Sequence, residues 1–201
     1  MLKIKMCKYI WIIGVPRSGT TFLTNYLGKY TDYCFNEPWD RYPLENPRLW
    51  TLPEAKTIVF KYCANWRNAK ILSNRFKSSY FIHLIRRPTD VIESMVYPKK
   101  DSVPYRNLFA SKILAERFDL AVNKWKEFYD GCCGVCQKYR SLEVVYENLP
   151  QELNRISEFT NLPLRQKNLS FNYKNKELSL EQFWNMPVYS VFNKLRIKIE
   201  Q

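Results

Sequence analysis

The segment Gly14-Val-Pro-Arg-Ser-Gly-Thr-Thr-Phe-Leu23 gathers one arginine and three hydroxyl residues around Gly19. The run Tyr9 to Ile13 before it is β-branched and aromatic, and after it Phe22, Tyr26 and Leu27 fall at helical spacing. A strand ending in Gly14, a tight loop and a helix beginning near Gly19 or Thr20 aim free backbone N–H groups at one point. The positive end of the helix dipole points there too. Ser18, Thr20 and Thr21 add hydroxyl donors, and Arg17 adds a planar cationic fork. Such a loop is built for an anion. It is one step from the pattern G-x-x-x-x-G-K-[ST], with Thr20 where the lysine would reach the outer phosphates of a nucleoside triphosphate. A nucleotide kinase or another P-loop NTPase is therefore one reading. Against it, the third predicted strand ends in Ile85-Arg86-Arg87 and not in an aspartate that would hold magnesium. The balance favours a smaller phosphate group, neutralised by arginines and not by a metal.

A second constellation is Tyr80-Phe-Ile-His-Leu-Ile-Arg-Arg-Pro-Thr-Asp-Val-Ile-Glu-Ser94. Arg86 at a strand end and Ser94 on the helix that follows can converge on one phosphate. Pro88 suits a helix start, and Asp90 suits a first turn. Together the two segments resemble the nucleotide-binding elements of sulfotransferases that use PAPS (3′-phosphoadenosine 5′-phosphosulfate). The loop is similar to the family's 5′-phosphosulfate loop, and the second segment to its strand followed by R-x-P-x-D-x-x-x-S, which binds the 3′-phosphate. Lys56-Thr-Ile-Val-Phe-Lys61 resembles the family's strand ending in a lysine. Glu143-Val-Val-Tyr-Glu-Asn-Leu149, with Asn161-Leu-Pro163 after it, resembles the late strand, turn and helix. The resemblance runs from about Tyr9 to Leu164. It implies that Arg17, Ser18, Gly19, Thr20 and Thr21 bind the phosphosulfate, and that Arg86 and Ser94 bind the 3′-phosphate. PAP would be the product. Tyr146 and Glu147 read as architectural.

Sulfuryl transfer needs a base for the acceptor and cations for the leaving phosphate. In many sulfotransferases of phenols and steroids the base is a histidine two residues after the strand-end lysine. Here that position is Cys63, and the one histidine, His83, lies inside a predicted strand. Phe35-Asn-Glu-Pro-Trp39 resembles instead the E-P segment of carbohydrate sulfotransferases, which makes Glu37 the base and a sugar hydroxyl or amine the acceptor. Trp39 and Phe35 could raise the carboxyl pKa by partial burial. An acidic residue in a proline-bounded loop is the plainer account of Glu37. Lys61 and Arg17 are the candidate stabilisers of the charge that grows as sulfur leaves. Either could instead hold an acidic acceptor.

The elements that must position these residues alternate strand and helix. Strands are expected at Tyr9–Ile13, Thr57–Tyr62, Tyr80–Ile85 and Leu142–Tyr146. Helices are expected at Thr20–Tyr30, Asn68–Phe76, Thr89–Val96, about Arg106–Tyr129 and Glu152–Phe159. This order predicts a P-loop-type three-layer α/β/α fold on a parallel sheet, with the ligand at the strand carboxyl ends. The 201 residues suffice for one domain spanning 1–201, with nucleotide motifs in 9–96, the late strand and helix in 142–164, and a tail, 178–201, of no evident role. A hydrophobic fraction of 46% excludes a disordered tail. The apolar run Tyr9–Ile13 is far short of the roughly 20 residues that cross a bilayer.

The net charge of +13 permits a non-catalytic basic protein that binds nucleotide or nucleic acid. The lysines are scattered and form no stripe, so no specific nucleic-acid partner is expected. Six cysteines without a secretory-type segment after Met1–Lys8 predict reduced thiols in a cytoplasmic setting. Cys133 and Cys136 form C-x-x-C, but zinc takes four ligands and no second pair is visible. Gly131–Cys136 is read as a loop with packed thiols, and no metal is expected. Trp39, Trp50 and Trp66 read as core, with stacking on an adenine or sugar as the alternative.

Overall fold

Four consecutive residues of the first strand, Ile10 to Ile13, are each 0% exposed, as expected for a strand covered on both faces. The computed structural model describes residues 7–38, 41–97 and 114–165. The first strand is β1 (Lys8–Gly14), followed by α1 (Thr20–Gly28) and β2 (Tyr33–Asn36). Next come β3 (Thr57–Lys61), α2 (Ala69–Arg75), β4 (Ser79–Ile85) and α3 (Pro88–Val96). The described chain ends with α4 (Leu114–Cys136), β5 (Ser141–Val145) and α5 (Leu149–Thr160). The strands form a parallel sheet in the order β2-β3-β1-β4-β5.

Strand alternation sorts the core into two faces. Ile10, Ile12, Val59, Ile82, Leu84 and Val144 pack under Leu23 and Leu27 of α1 and Leu153 and Ile156 of α5. Trp11, Ile13, Phe60 and Phe81 face the other way, against Leu72 of α2 and Cys132 and Val135 of α4. Beyond the strand ends, Val91, Ile92 and Met95 of α3 meet Ala121, Val122 and Trp125 of α4. The result is the expected three-layer α/β/α fold. No helix of the described residues is long and apolar enough to cross a membrane.

Two local expectations are corrected. The sheet has a further strand, β2, at its edge, where the sequence reads only a proline-bounded loop. Its four residues are largely exposed, so it lacks the buried apolar run of the inner strands. Gly131–Cys136 is not a loop but the last turns of α4. Its apolar face continues through Cys132 and Val135, both buried, which outweighs the propensity cost of Gly131 and Gly134. The start proposed near Arg106, Trp39, and the tail 178–201 lie outside the described residues.

The β1–α1 loop is held in a strained shape by its surroundings. The Ser18 N–H donates to the Val15 carbonyl at 3.1 Å. Arg17 has φ 75 and Gly19 φ 90, both left-handed, a region costly for a side-chain-bearing residue. A Cβ on Gly19 would also collide with the Tyr146 ring, and one on Gly14 would lie 2.7 Å from the Leu84 carbonyl oxygen. Tyr146, in the turn after β5, is thus the floor of the loop. Its neighbour Glu147 accepts the Arg87 N–H at 2.8 Å through Oε1, fixing the start of α3. Burial pushes the Glu147 carboxyl above its ordinary range, against the favourable backbone hydrogen bond.

Gly19→Ala should destabilise the protein by about 1–3 kcal/mol, the usual cost of such strain, read as a lower urea midpoint at unchanged slope. Glu147 should make stability fall as pH rises, because its raised folded value keeps a proton that the unfolded chain releases. Glu147→Gln retains the acceptor without the charge. It should therefore gain stability relative to wild type as pH is raised from about 4 to 8, measured as the difference in Tm.

Candidate active site

Parallel pairing of β2 with β3 sets Asn36 opposite Lys61. The next residue, Glu37, donates its N–H to the Lys61 carbonyl at 2.9 Å. Its backbone has φ 52, so the chain turns sharply where it leaves the sheet. The side chains then meet: Lys61 Nζ lies 2.8 Å from Glu37 Oε1 and donates to Thr21 Oγ1 at 3.2 Å. Lys61 is only 5% exposed, whereas the Glu37 side chain is 36% exposed. A buried ammonium requires such partners. One cation therefore joins the start of α1 to the end of β2, with the carboxylate on the open side.

The expected surroundings of Glu37 are different in kind. Phe35 turns into the aromatic core, 5.2 Å from Tyr42 and 5.3 Å from Phe60 between ring centroids. Among the described residues the neighbour of the carboxylate is the Lys61 ammonium, and Trp39 lies outside them. Cys63 is buried beneath the loop, its Sγ 3.4 Å from Thr20 Oγ1. Burial pushes the thiol up, with Lys61 acting the other way and Glu37 adding to the rise. It is a packed thiol.

On the other side of β1, Arg86 follows the end of β4. Its Nη1 donates to the Arg17 carbonyl at 3.1 Å, its Nη2 lies 3.7 Å from Asp90 Oδ2, and its guanidinium sits 5.0 Å from the Tyr146 ring centroid. Arg17 in turn donates from Nε to Ser94 Oγ at 3.0 Å. Arg86 and Ser94 are thus linked through Arg17, a connection that no sequence spacing suggests. Tyr146 is the other contributor that sequence reasoning understates. It touches both Gly19 and Arg86 from a turn far along the chain, and the late strand-and-turn motif was its one signal.

Between these two cationic clusters stands α1, which has no side-chain cap. Its first intrahelical bond is the Leu23 N–H to the Gly19 carbonyl at 3.1 Å. The N–H groups of Gly19 to Phe22 precede that bond and face the loop side. Ser18 is 1% exposed, and its hydroxyl has no hydrogen-bond partner among the described residues; the same holds for Arg86 Nε. All of the predicted site residues are therefore grouped at the carboxyl ends of β1, β2, β3 and β4, or on the helices just after them. His83 is not among them. It is fully buried within β4, 3.5 Å from Glu143. Trp50 is core, 5.1 Å from Phe60 and stacked on it, and Trp66 packs edge-on to Phe128. Neither is a stacking platform.

Comparison with protein-family models gives no match for this chain, and neither does comparison with curated protein sequences. Solved structures do match. A sulfotransferase from Alicyclobacillus acidocaldarius aligns at TM-score 0.53 and 12% identity, covering 96% of both chains. The sulfotransferase domain from the curacin biosynthetic pathway aligns at TM-score 0.57 and 17% identity, over 93% of this chain and 83% of that one. Mouse sulfotransferase SULT7A1, solved with PAP, aligns at TM-score 0.53 and 14% identity, over 94% and 82%. This chain has a sulfotransferase-like α/β fold.

Proposed function

We propose that this protein is a single-domain PAPS-dependent sulfotransferase that sulfates a hydroxyl or amine of a carbohydrate or glycoconjugate. The observation that carries the reading is the Lys61 ammonium, which is bonded at once to the loop helix through Thr21 and to the exposed carboxylate of Glu37. An acid–base group and an anion loop are thereby held side by side. The fold likeness adds support, as do the unpartnered Ser18 hydroxyl and Arg86 Nε, polar groups whose burial costs about 1–3 kcal/mol each unless a ligand atom meets them. Six free thiols suit a reducing, cytoplasmic compartment.

PAPS, when bound, supplies the sulfuryl group and a 5′-phosphate as leaving group. Every other task falls to the chain. The N–H groups of Gly19, Thr20 and Thr21, with the Ser18 hydroxyl, hold the phosphosulfate end. Arg17 lends its positive charge to the same end, and Arg86 with Ser94 holds the 3′-phosphate, where a planar fork gives two parallel hydrogen bonds. Glu37 takes the proton of the acceptor hydroxyl. Lys61 orients that carboxylate, and it also offers positive charge beside Thr21, where negative charge grows as the leaving oxygen departs. An arrangement already in place loses little to reorganisation during the transfer.

Calorimetry should find PAP bound more tightly than AMP or ATP–magnesium. Arg86→Ala should cost roughly ten- to a hundredfold in PAP affinity and erase the preference over AMP. Equal or tighter binding of ATP–magnesium would transfer the site to the kinase class. With sugar acceptors and labelled PAPS, Glu37→Gln should lower kcat by about 10²–10⁴ while leaving PAP affinity within twofold or so. A variant that keeps its turnover would remove Glu37 from the role of base.

A further inference from the structure

On the face of the sheet covered by α4, and below the strand ends, lies a second group of chemically capable side chains. Cys133 and Cys136 stand three residues apart on the last turns of α4, a spacing that puts both on one helix face. His83 of β4 and Glu143 of β5 are register partners in the parallel ladder, so both project from the same side of the sheet. The donor atoms of His83, Cys133 and Glu143 lie within 4.8 Å of one another. His83 Nδ1 is 3.5 Å from Glu143 Oε1 and 3.9 Å from Cys136 Sγ. Tetrahedral zinc with bonds of about 2.0–2.3 Å sets its ligand atoms roughly 3.3–3.8 Å apart. His83, Cys133 and Glu143 are thus near that spacing before any ion draws them in, and Cys136 approaches them through His83.

We propose that His83, Cys133, Cys136 and Glu143 form a structural Zn²⁺ site that fastens the end of α4 to β4 and β5. Two thiolates, an imidazole and one carboxylate are the donors that select zinc over hard cations such as magnesium. C-x-x-C lacked partners in the sequence because they come from two strands, His83 standing fifty positions before Cys133 and Glu143 seven after Cys136, in no fixed motif. All four positions are taken by protein atoms, which makes the site closed and excludes a catalytic water. It is separate from Glu37, Lys61 and the phosphate loop, and it stands or falls independently of the sulfotransferase reading. The ion would bind as the two thiols lose their protons. His83 is fully buried, while Cys133, Cys136 and Glu143 are half-buried, so the way in is from the β5 edge. Ile85, at the end of the same β4, leads directly into Arg86, so fastening this strand also steadies the arginine.

The test is metal content and cobalt spectroscopy on the reduced full-length chain. Zinc measured by mass spectrometry after desalting should be one ion per chain. Cobalt added to the chelator-stripped protein should give the visible bands of a tetrahedral ion and a thiolate-to-cobalt charge-transfer band in the near ultraviolet. Cys133→Ser and Cys136→Ser should each lower that band by about half, in line with one thiolate fewer, and Glu143→Gln should shift the visible bands. Cys34→Ser, which alters an exposed thiol outside the cluster, should change nothing. Circular dichroism of the stripped variants separates lost ligation from lost fold. Absence of stoichiometric metal in the wild type would overturn the site, as would a full-strength band in either cysteine variant.

Discussion

An ammonium group held at 5% exposure is tolerated only where other groups meet its charge and its donors. Lys61 meets that condition through Glu37 and Thr21, and the rest of the upper sheet follows from it. The carboxylate must come from the strand next door, so β2 must pair with β3 in the register that sets Asn36 opposite Lys61. The hydroxyl must come from the first turn of α1, so the loop after β1 must close tightly enough to start a helix at Thr20. Two non-glycine residues in left-handed conformations, Arg17 and Glu37, lie at the points where those demands bend the chain. Strain of this kind persists where the surroundings over-determine it.

The opposite side of β1 obeys a different rule. There the positive charges are close together and have few carboxylates among them. Arg86 is stacked over Tyr146 and bonded to the Arg17 carbonyl, so its guanidinium orients the loop. Asp90, 7% exposed, offsets part of that charge. The Tyr146 ring does the mechanical work beneath, filling the space that a side chain at position 19 would need.

Much of this was legible in the sequence. The strands β1, β3 and β4 announced themselves as apolar runs, since a parallel strand buried on both faces needs apolar residues on both, while β5, at the edge, carries Glu143 and buries only Val144. That the loop and the Arg86–Ser94 segment would lie together was legible because each follows a buried strand and starts a helix at the same end of the sheet. What escaped notice has a common cause. The edge strand β2 has no buried face long enough to leave a pattern, so the Glu37–Lys61 pair could be guessed as two residues but not as one bonded unit. The Arg17–Ser94 hydrogen bond and the contact of Tyr146 with Gly19 depend on tertiary register, which spacing along the chain does not encode. The Gly131–Cys136 stretch misled for the reverse reason: two glycines suggested a loop, while burial of Cys132 and Val135 continued the helix.

The sheet order also bears on how the chain reaches this state. Among the described strands β1 is first in the chain, yet it lies at the centre of the sheet and its neighbours are β3 and β4. Lys8 must wait for Thr57, and Tyr9 for Ser79, before either edge of β1 is paired. During synthesis this central, largely apolar strand would therefore leave the ribosome with both edges open and with neither covering layer complete. Pairings this distant in sequence form slowly, because loop closure precedes any reward from contact. The nascent chain should thus be most in need of chaperone cover in the interval before β4 emerges, and that interval is set by topology rather than by the stability of the finished core.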